Sequence, residues 1–363
     1  MATNILSNVC RPAEFRCHKP HKLLTERMKT SPDGPVHERA NQFFKKQIID
    51  LLDYLPGRKA RETLVFGPNR FDDFPLSNFL VGGWVYGIDL DLLSMTKAKN
   101  SMPPKLRERL VPLQLDASLF ANQMIRTAQQ VVNGHNTPSV AFLKKLMSEF
   151  AVIEKERQLP FQDKSFDLIV SVSTVSQFVN TAFNAVLKLQ WDKFGEDSVW
   201  RFYSEKIRHN DAEIYRGQLL DKAVVKLRRR LINAHIGEMA RLVRPDGVIF
   251  LSDHALKVKA VNDRGRFSIG PEQFEVSDRY VSDLKLRTTK AKLLVEVGSK
   301  AVDVETTGQG NLTTIAKEIP GLKLLEQYHV WNVNFPGAAM FGVPGEYFLD
   351  TALVMRPTAT AAR

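Results

Sequence analysis

Gly67, in the stretch LVFGPNRFDD (64–73), and Asp89, in GWVYGIDLD, have the types and spacing of a nucleotide site. A glycine at the end of an apolar run lets the backbone turn sharply and come close to a ligand. An acid about 20 positions later can accept hydrogen bonds from ribose hydroxyls. The alternative for such an acid is a helix N-cap. The loop itself is poor in glycine, because PNRF stands where loops of this kind carry further ones. A second cluster, CRPAEFRCHKPH, sets Cys10 and Cys17 near His18 and His21, but the six-residue gap between the cysteines is wider than the two to four usual for zinc. It reads as part of a basic tail, and no metal is expected.

These residues need elements to hold them. VHERANQFFKKQIIDLLDYL has apolar residues at Phe43, Phe44, Ile48, Ile49, Leu51 and Leu52, a helical spacing that PGRKARE ends. Three short apolar runs follow, ETLVFG, GWVYGIDLD and LVPLQLDAS, then SFDLIVSVS, and later GVIFLSDH after the helical LINAHIGEMARLVRPDG. Strands alternating with helices predict a parallel sheet covered on both faces. LKLLEQYHVWNV and EYFLDTALVMR have no helical pattern between them and read as a closing antiparallel hairpin. Pro245 and Gly247 in RPDG end a helix, with Gly247 suited to positive φ. The expected organisation is a basic tail over 1–35, one domain over 36–356 and a flexible tail over 357–363. Insertions at about 175–230 and 255–320 are expected to form a substrate cap.

The chain has 363 residues, 44% of them hydrophobic, a net charge of +11 and two cysteines. It can bury a large core without a disulfide framework. No run of about 18 apolar residues appears, so no membrane span is expected. The polar opening MATNILSNVCRPAEFR lacks the apolar stretch of a secretory signal, which makes the cytoplasm the expected location, with an organelle transit peptide as the alternative. The basic balance attracts polyanions, and KLRRR (226–230) and RTTKAK (287–292) are its densest clusters, although such clusters are also common as solvated helix faces.

LVFG, GIDLD, LPFQDKSFDLIVS and LVRPDGVIF, in that order, resemble the class I methyltransferases that use S-adenosylmethionine. The resemblance covers about 40–255 and 320–356, with a divergent, glycine-poor first motif. It implies an α/β fold: a Rossmann-like, mostly parallel seven-stranded sheet, helices on both faces and a C-terminal antiparallel hairpin. It further implies S-adenosylmethionine as cofactor. Gly67, Pro68, Asn69 and Arg70 would lie at its methionine portion, Asp89 with Leu90 at the ribose, and Asp116 with Ala117 at the adenine. Ser171, Val172 and Ser173 would lie beside the sulfonium. AVIEKERQLPF offers a rival third strand, with Glu154 or Glu156 in the place of Asp116. Asn69 and Arg70 supply donors suited to a carboxylate, and Asp72 or Asp73 could pair with an ammonium.

Methyl transfer from a sulfonium is mainly a matter of positioning, and a base is needed only where the acceptor must lose a proton. His254, with Asp253 as its orienter, is the candidate catalytic pair; the alternative makes Asp253 a cap and His254 a rim residue. The stretch SVSTVSQF lacks the [DNS]PP[YFW] pattern of enzymes that methylate exocyclic base amines, and no cysteine follows Cys17 to serve cytosine-carbon chemistry. Trp191, Phe194, Trp200, Phe202 and Tyr203 are candidates for an apolar acceptor pocket, or for the core of the inserted helices. Trp331, with Tyr328 and His329, could reach the same cleft or pack within its strand. The expected function is methyl transfer to an oxygen or nitrogen of a small-molecule acceptor. The alternatives are an inactive methyltransferase-like scaffold and an RNA methyltransferase.

Overall fold

The computed structural model describes residues 34–68, 71–89, 91–153, 158–172, 175–209, 212–260, 275, 294–297, 300–306, 312–334 and 346–358. In chain order the first elements are α1 (Gly34–Asp50), β1 (Glu62–Phe66), α2 (Leu76–Gly82), β2 (Trp84–Asp89), α3 (Leu92–Asn100), α4 (Pro104–Arg107) and β3 (Leu110–Gln114). Next come α5 (Ala121–Asn133), α6 (Val140–Val152), β4 (Phe166–Val172), α7 (Val175–Phe194), α8 (Glu196–Tyr203), β5 (Lys206–His209), β6 (Ala212–Tyr215) and α9 (Gly217–Leu242). The last are β7 (Val243–Ala260), β8 (Leu294–Val297), β9 (Lys300–Thr306), α10 (Leu312–Glu318), β10 (Leu322–Asn334) and β11 (Glu346–Pro357). Two compact units emerge, one from Pro20–Ala117, Pro160–Thr174 and Ile236–Arg363, the other from Met1–Lys19, Ser118–Leu159 and Val175–His235.

The first unit holds the sheet. Its strands run β10-β11-β7-β4-β1-β2-β3, with β11 antiparallel to both neighbours and the β7, β4, β1, β2 and β3 pairs parallel. ETLVF and FDLIVSV are nearly continuous apolar runs because both faces are covered. On one face Phe44 of α1 meets Phe250 edge-on, with ring centroids 6.2 Å apart, and Phe43 meets Tyr328 at 5.8 Å. On the other, Tyr86, Phe161 and Phe166 form an edge-to-face trio, the packing of LPFQDKSFD. Two strands go beyond the expected seven: β9 pairs antiparallel with the far end of β7, and β8 with β9. They take up KLLVEVG and AVDVETT; RFSIG lies outside the described residues.

Polar residues fix the sheet's lower edge. Asp167 accepts hydrogen bonds from the backbone N–H of Arg61 (2.7 Å) and Glu62 (2.9 Å) and pairs with Arg244. Gly247 is required for space and does not have the positive φ expected of it: a Cβ there would lie 2.7 Å from the Asp167 carbonyl oxygen.

The second unit is helical, with the β5–β6 hairpin added. It includes 118–159 as well as most of the expected first insertion, so α5 and α6 account for the long separation between Asp116 and LPF. Ser139 caps α6 by accepting from the Phe142 N–H. The aromatic cluster serves as the unit's own core: Phe202 and Tyr203 are buried, Tyr203 donates to Gln190 at 2.7 Å, and Phe194 packs edge-on against Phe142.

Two arginines of KLRRR are structural, while Lys226 and Arg229 are exposed. Arg228 is buried, and Arg230 donates to the Phe150, Ala151 and Ile153 carbonyls at 2.6, 2.9 and 3.1 Å, closing the C-terminus of α6. Arg230→Met keeps much of the stem but leaves these carbonyls without their charged donor. It is expected to lower unfolding free energy by about 2 kcal/mol in urea titrations.

Candidate functional site

The register gathers most of the described candidate residues at one end of the sheet. Phe66 lies opposite both Ile88 and Ser171, Asp89 opposite Gln114, and Val172 opposite Ser252. Gly67, Asp89 and Val172 therefore share the last row at the carboxyl ends of the parallel strands, where ligands bind in open α/β sheets. All belong to the sheet unit.

Gly67 has φ +58°, and its N–H donates to the Ile88 carbonyl at 2.8 Å. Glycine is needed here because a side chain in the left-handed region is strained. Pro68 is buried, and its carbonyl accepts from the Phe71 N–H at 2.5 Å, closing a turn. Phe71 also has positive φ, +63°, so the loop retains a conformation suited to glycine where the sequence supplies an aromatic residue. The Phe71 ring is buried in the core on the α1 face; a Cβ on Gly87 would lie 2.9 Å from its Cζ. That contact is two residues, roughly 7 Å, below Asp89 along β2. Asn69 and Arg70 lie outside the described residues.

Asp89 ends β2, yet the cap of α3 is Asp91, which accepts from the Ser94 N–H (3.0 Å) and hydroxyl (2.6 Å). Asp89 accepts from the Asp91 N–H at 2.9 Å and is half-buried. The helix-capping alternative is thus filled by another residue. Asp116 and Ala117 follow β3, which pairs with β2 over Leu110–Gln114. The third strand is accordingly LVPLQ, whereas AVIEKERQLPF begins as the end of α6, with Glu154 and Glu156 outside the described residues. Ser171 and Val172 are buried at the end of β4; Leu90 and Ser173 lie outside the described residues.

His254 lies two residues beyond Ser252 on β7, and the carboxylate on its Nδ1 is that of Asp350, directly opposite on β11. This corrects the expected pairing with Asp253, since adjacent residues of an extended strand point to opposite faces. Asp350 is fully buried and also accepts from Asn332 Nδ2 at 2.8 Å, while Phe348 stacks on the His254 ring at 4.3 Å. Trp331 is fully buried in the sheet core, and His329 contacts Thr351 Oγ1 at 2.8 Å. Sequence reasoning missed Asp350; the signal that could have found it is an acid interrupting the apolar run YFLDTALVM, where a buried charge requires partners.

Asp73 follows the loop, and burial pushes its carboxyl up to about 7; Asp72 adds to the rise, while Asp73's own backbone hydrogen bond and Lys45 oppose it. Between the unfolded-chain value of about 3.9 and pH 7, the folded protein keeps a proton that the unfolded chain loses. The stability this proton lends is complete below about pH 4 and falls away as pH rises to 7. Asp73→Asn should remove that slope and exceed the wild type in stability at pH 8, as urea titrations at pH 5.5 and 8 would show.

No family model and no curated protein matches the chain. Solved structures similar to it include the YcgJ protein of Bacillus subtilis, at 10% identity and TM-score 0.37 over 88% of this chain and 100% of that one. A TehB-like SAM-dependent methyltransferase of Corynebacterium glutamicum shows 12% identity and TM-score 0.31 over 87% and 88%. A SAM-dependent methyltransferase of Methanosarcina mazei shows 13% and 0.33 over 85% and 96%. With TM-scores below 0.5, these likenesses add nothing to what the strand order shows. That order, five parallel strands with an antiparallel β11 inserted before β10, gives the chain the class I, Rossmann-like methyltransferase fold.

Proposed function

We propose that the protein is an S-adenosylmethionine-dependent methyltransferase acting on an oxygen or nitrogen of a small-molecule acceptor. The observation that carries this reading is the last row of the sheet. Gly67 holds the left-handed turn there, and Asp89 stands at the end of β2 with the capping of α3 done by Asp91. These residues fit the cofactor: Gly67 and Pro68 would face its methionine portion, Asp89 its ribose, and Asp116 with Ala117 its adenine. Ser171 and Val172 would lie toward the sulfonium, and Asp73 toward the ammonium, whose charge would favour the ionised carboxylate. When bound, the cofactor supplies an electrophilic methyl group whose leaving group departs neutral. The protein's part is to hold the acceptor in line and exclude water.

The engagement of Arg228 and Arg230 within the helical unit supports a small molecule over RNA as the acceptor. Incubating the protein and methyl-labelled cofactor with a cell extract tests the reading. Label in a small-molecule fraction is the expected result. Label confined to RNA would favour the RNA methyltransferase reading, and bound cofactor with no transfer at all would favour a scaffold.

A further inference from the structure

We propose that Phe71 and Gly87 together anchor the cofactor loop: the Phe71 ring, lodged over Gly87, holds a turn that further glycines would otherwise have to permit. Both are thereby positioning residues for S-adenosylmethionine. The inference rests on the cofactor-binding reading of the last sheet row and deepens it. Phe71 is buried, with its ring in the core on the α1 face. A Cβ on Gly87 would lie 2.9 Å from Phe71 Cζ, 3.0 Å from Met95 Sδ and 3.2 Å from Pro68 Cγ. Gly87 does not have positive φ, so space, and not backbone conformation, calls for glycine there.

The slot adjoins the candidate site. Gly87 pairs with Val65 on β1 and with Pro112 on β3. Alternation along β2 puts Val85, Gly87 and Asp89 on one face, so the Phe71 ring, Met95 of α3 and Pro68 converge one same-face position below Asp89. The loop is fastened to β2 twice, by the Gly67 N–H on the Ile88 carbonyl at 2.8 Å and by the Phe71 ring at Gly87. Between these points the Phe71 N–H donates to the Pro68 carbonyl. The Phe71 ring also lies 6.1 Å from that of Phe74, which lies 5.1 Å from Phe79 of α2.

A phenylalanine at φ +63° sits in a region that side chains avoid, and such a conformation persists only where the surrounding contacts over-determine it. The slot over Gly87 supplies those contacts. A glycine reaches the same region without strain, but nothing then fixes it there. Holding a binding loop in place beforehand removes the ordering cost from the binding step. A loop in its competent conformation for a tenth of the time binds about tenfold more weakly. Phe71→Gly therefore separates backbone permission from ring anchoring, because it relieves the strain and adds a glycine while removing the anchor.

Equilibrium dialysis with labelled S-adenosylmethionine, beside urea titrations of the same variants, tests the proposal. Phe71→Gly should bind about tenfold more weakly than wild type. Gly87→Ala should also lose about tenfold, but no more than about threefold in the Phe71→Leu background, where the ring atoms facing the new Cβ are gone. Val85→Ala, which opens a cavity on the same face further from Asp89, should lower stability yet keep affinity within about twofold of wild type. Should Gly87→Ala fail to fold, Phe71→Gly and Val85→Ala decide. Phe71→Gly binding as tightly as wild type, or more tightly, overturns this inference alone. So do equal Gly87→Ala losses in both backgrounds, or a Val85→Ala loss as large as that of Phe71→Gly, since affinity would then follow stability. Wild-type protein that binds no S-adenosylmethionine overturns the cofactor-binding reading and this inference with it.

Discussion

Asp89→Ala should weaken S-adenosylmethionine binding by about thirtyfold, some 2 kcal/mol, as measured by equilibrium dialysis with labelled cofactor. A carboxylate accepting hydrogen bonds from ribose hydroxyls contributes through charge-assisted bonds of this size. Asp89 also accepts the backbone N–H of Asp91, a local contact that a second variant must separate from cofactor binding. Asp91→Ala provides the contrast. It removes the α3 cap, in which Ser94 donates through both its N–H and its hydroxyl, and should cost about 1 kcal/mol of stability while leaving cofactor affinity nearly unchanged. Equal binding losses in both variants would mean that Asp89 acts only by shaping the start of α3.

Gly83→Ala should be among the most destabilising single substitutions in the sheet unit, at about 3 kcal/mol. Gly83 joins α2 to β2, and a Cβ there would lie 2.3 Å from the Arg61 carbonyl oxygen and 2.5 Å from that of Ala60. Both neighbours are backbone, and the Arg61 carbonyl is already committed to the Trp84 N–H at 2.7 Å. No rotamer change can relieve the clash, so the backbone entering β1 and β2 must separate. By comparison, a Cβ on Gly82 would meet nothing within 4 Å. Gly82→Ala should therefore be tolerated, and thermal unfolding of the two variants side by side tests the argument. A Gly83→Ala protein as stable as the wild type would contradict it.

The parallel strands were legible in the sequence as short apolar runs, nearly continuous in ETLVF and FDLIVSV because both faces are buried there, and WVYGID and LVPLQ became strands as well. The β8–β9 addition left only short alternating segments, too weak to assign to a sheet edge. The Gly67 and Asp89 positions were legible from spacing, while the left-handed backbone of Phe71 was not, since nothing in a phenylalanine announces positive φ. Asp253 was the natural partner for His254 by adjacency along the chain. The sheet instead pairs His254 with Asp350, almost a hundred residues away, and only the β7–β11 register reveals it. The arginines of KLRRR showed the same limit: their charge was visible, but not the helix end that Arg230 closes.

Calorimetric titration of the wild-type protein with S-adenosylmethionine and S-adenosylhomocysteine addresses the glycine-poor crevice most directly. Saturable heat with either ligand, at one site per chain, is the predicted result. No heat with either, at protein concentrations high enough to register millimolar binding, would contradict the claim that the row of Gly67 and Asp89 still holds a methyl-donating nucleoside.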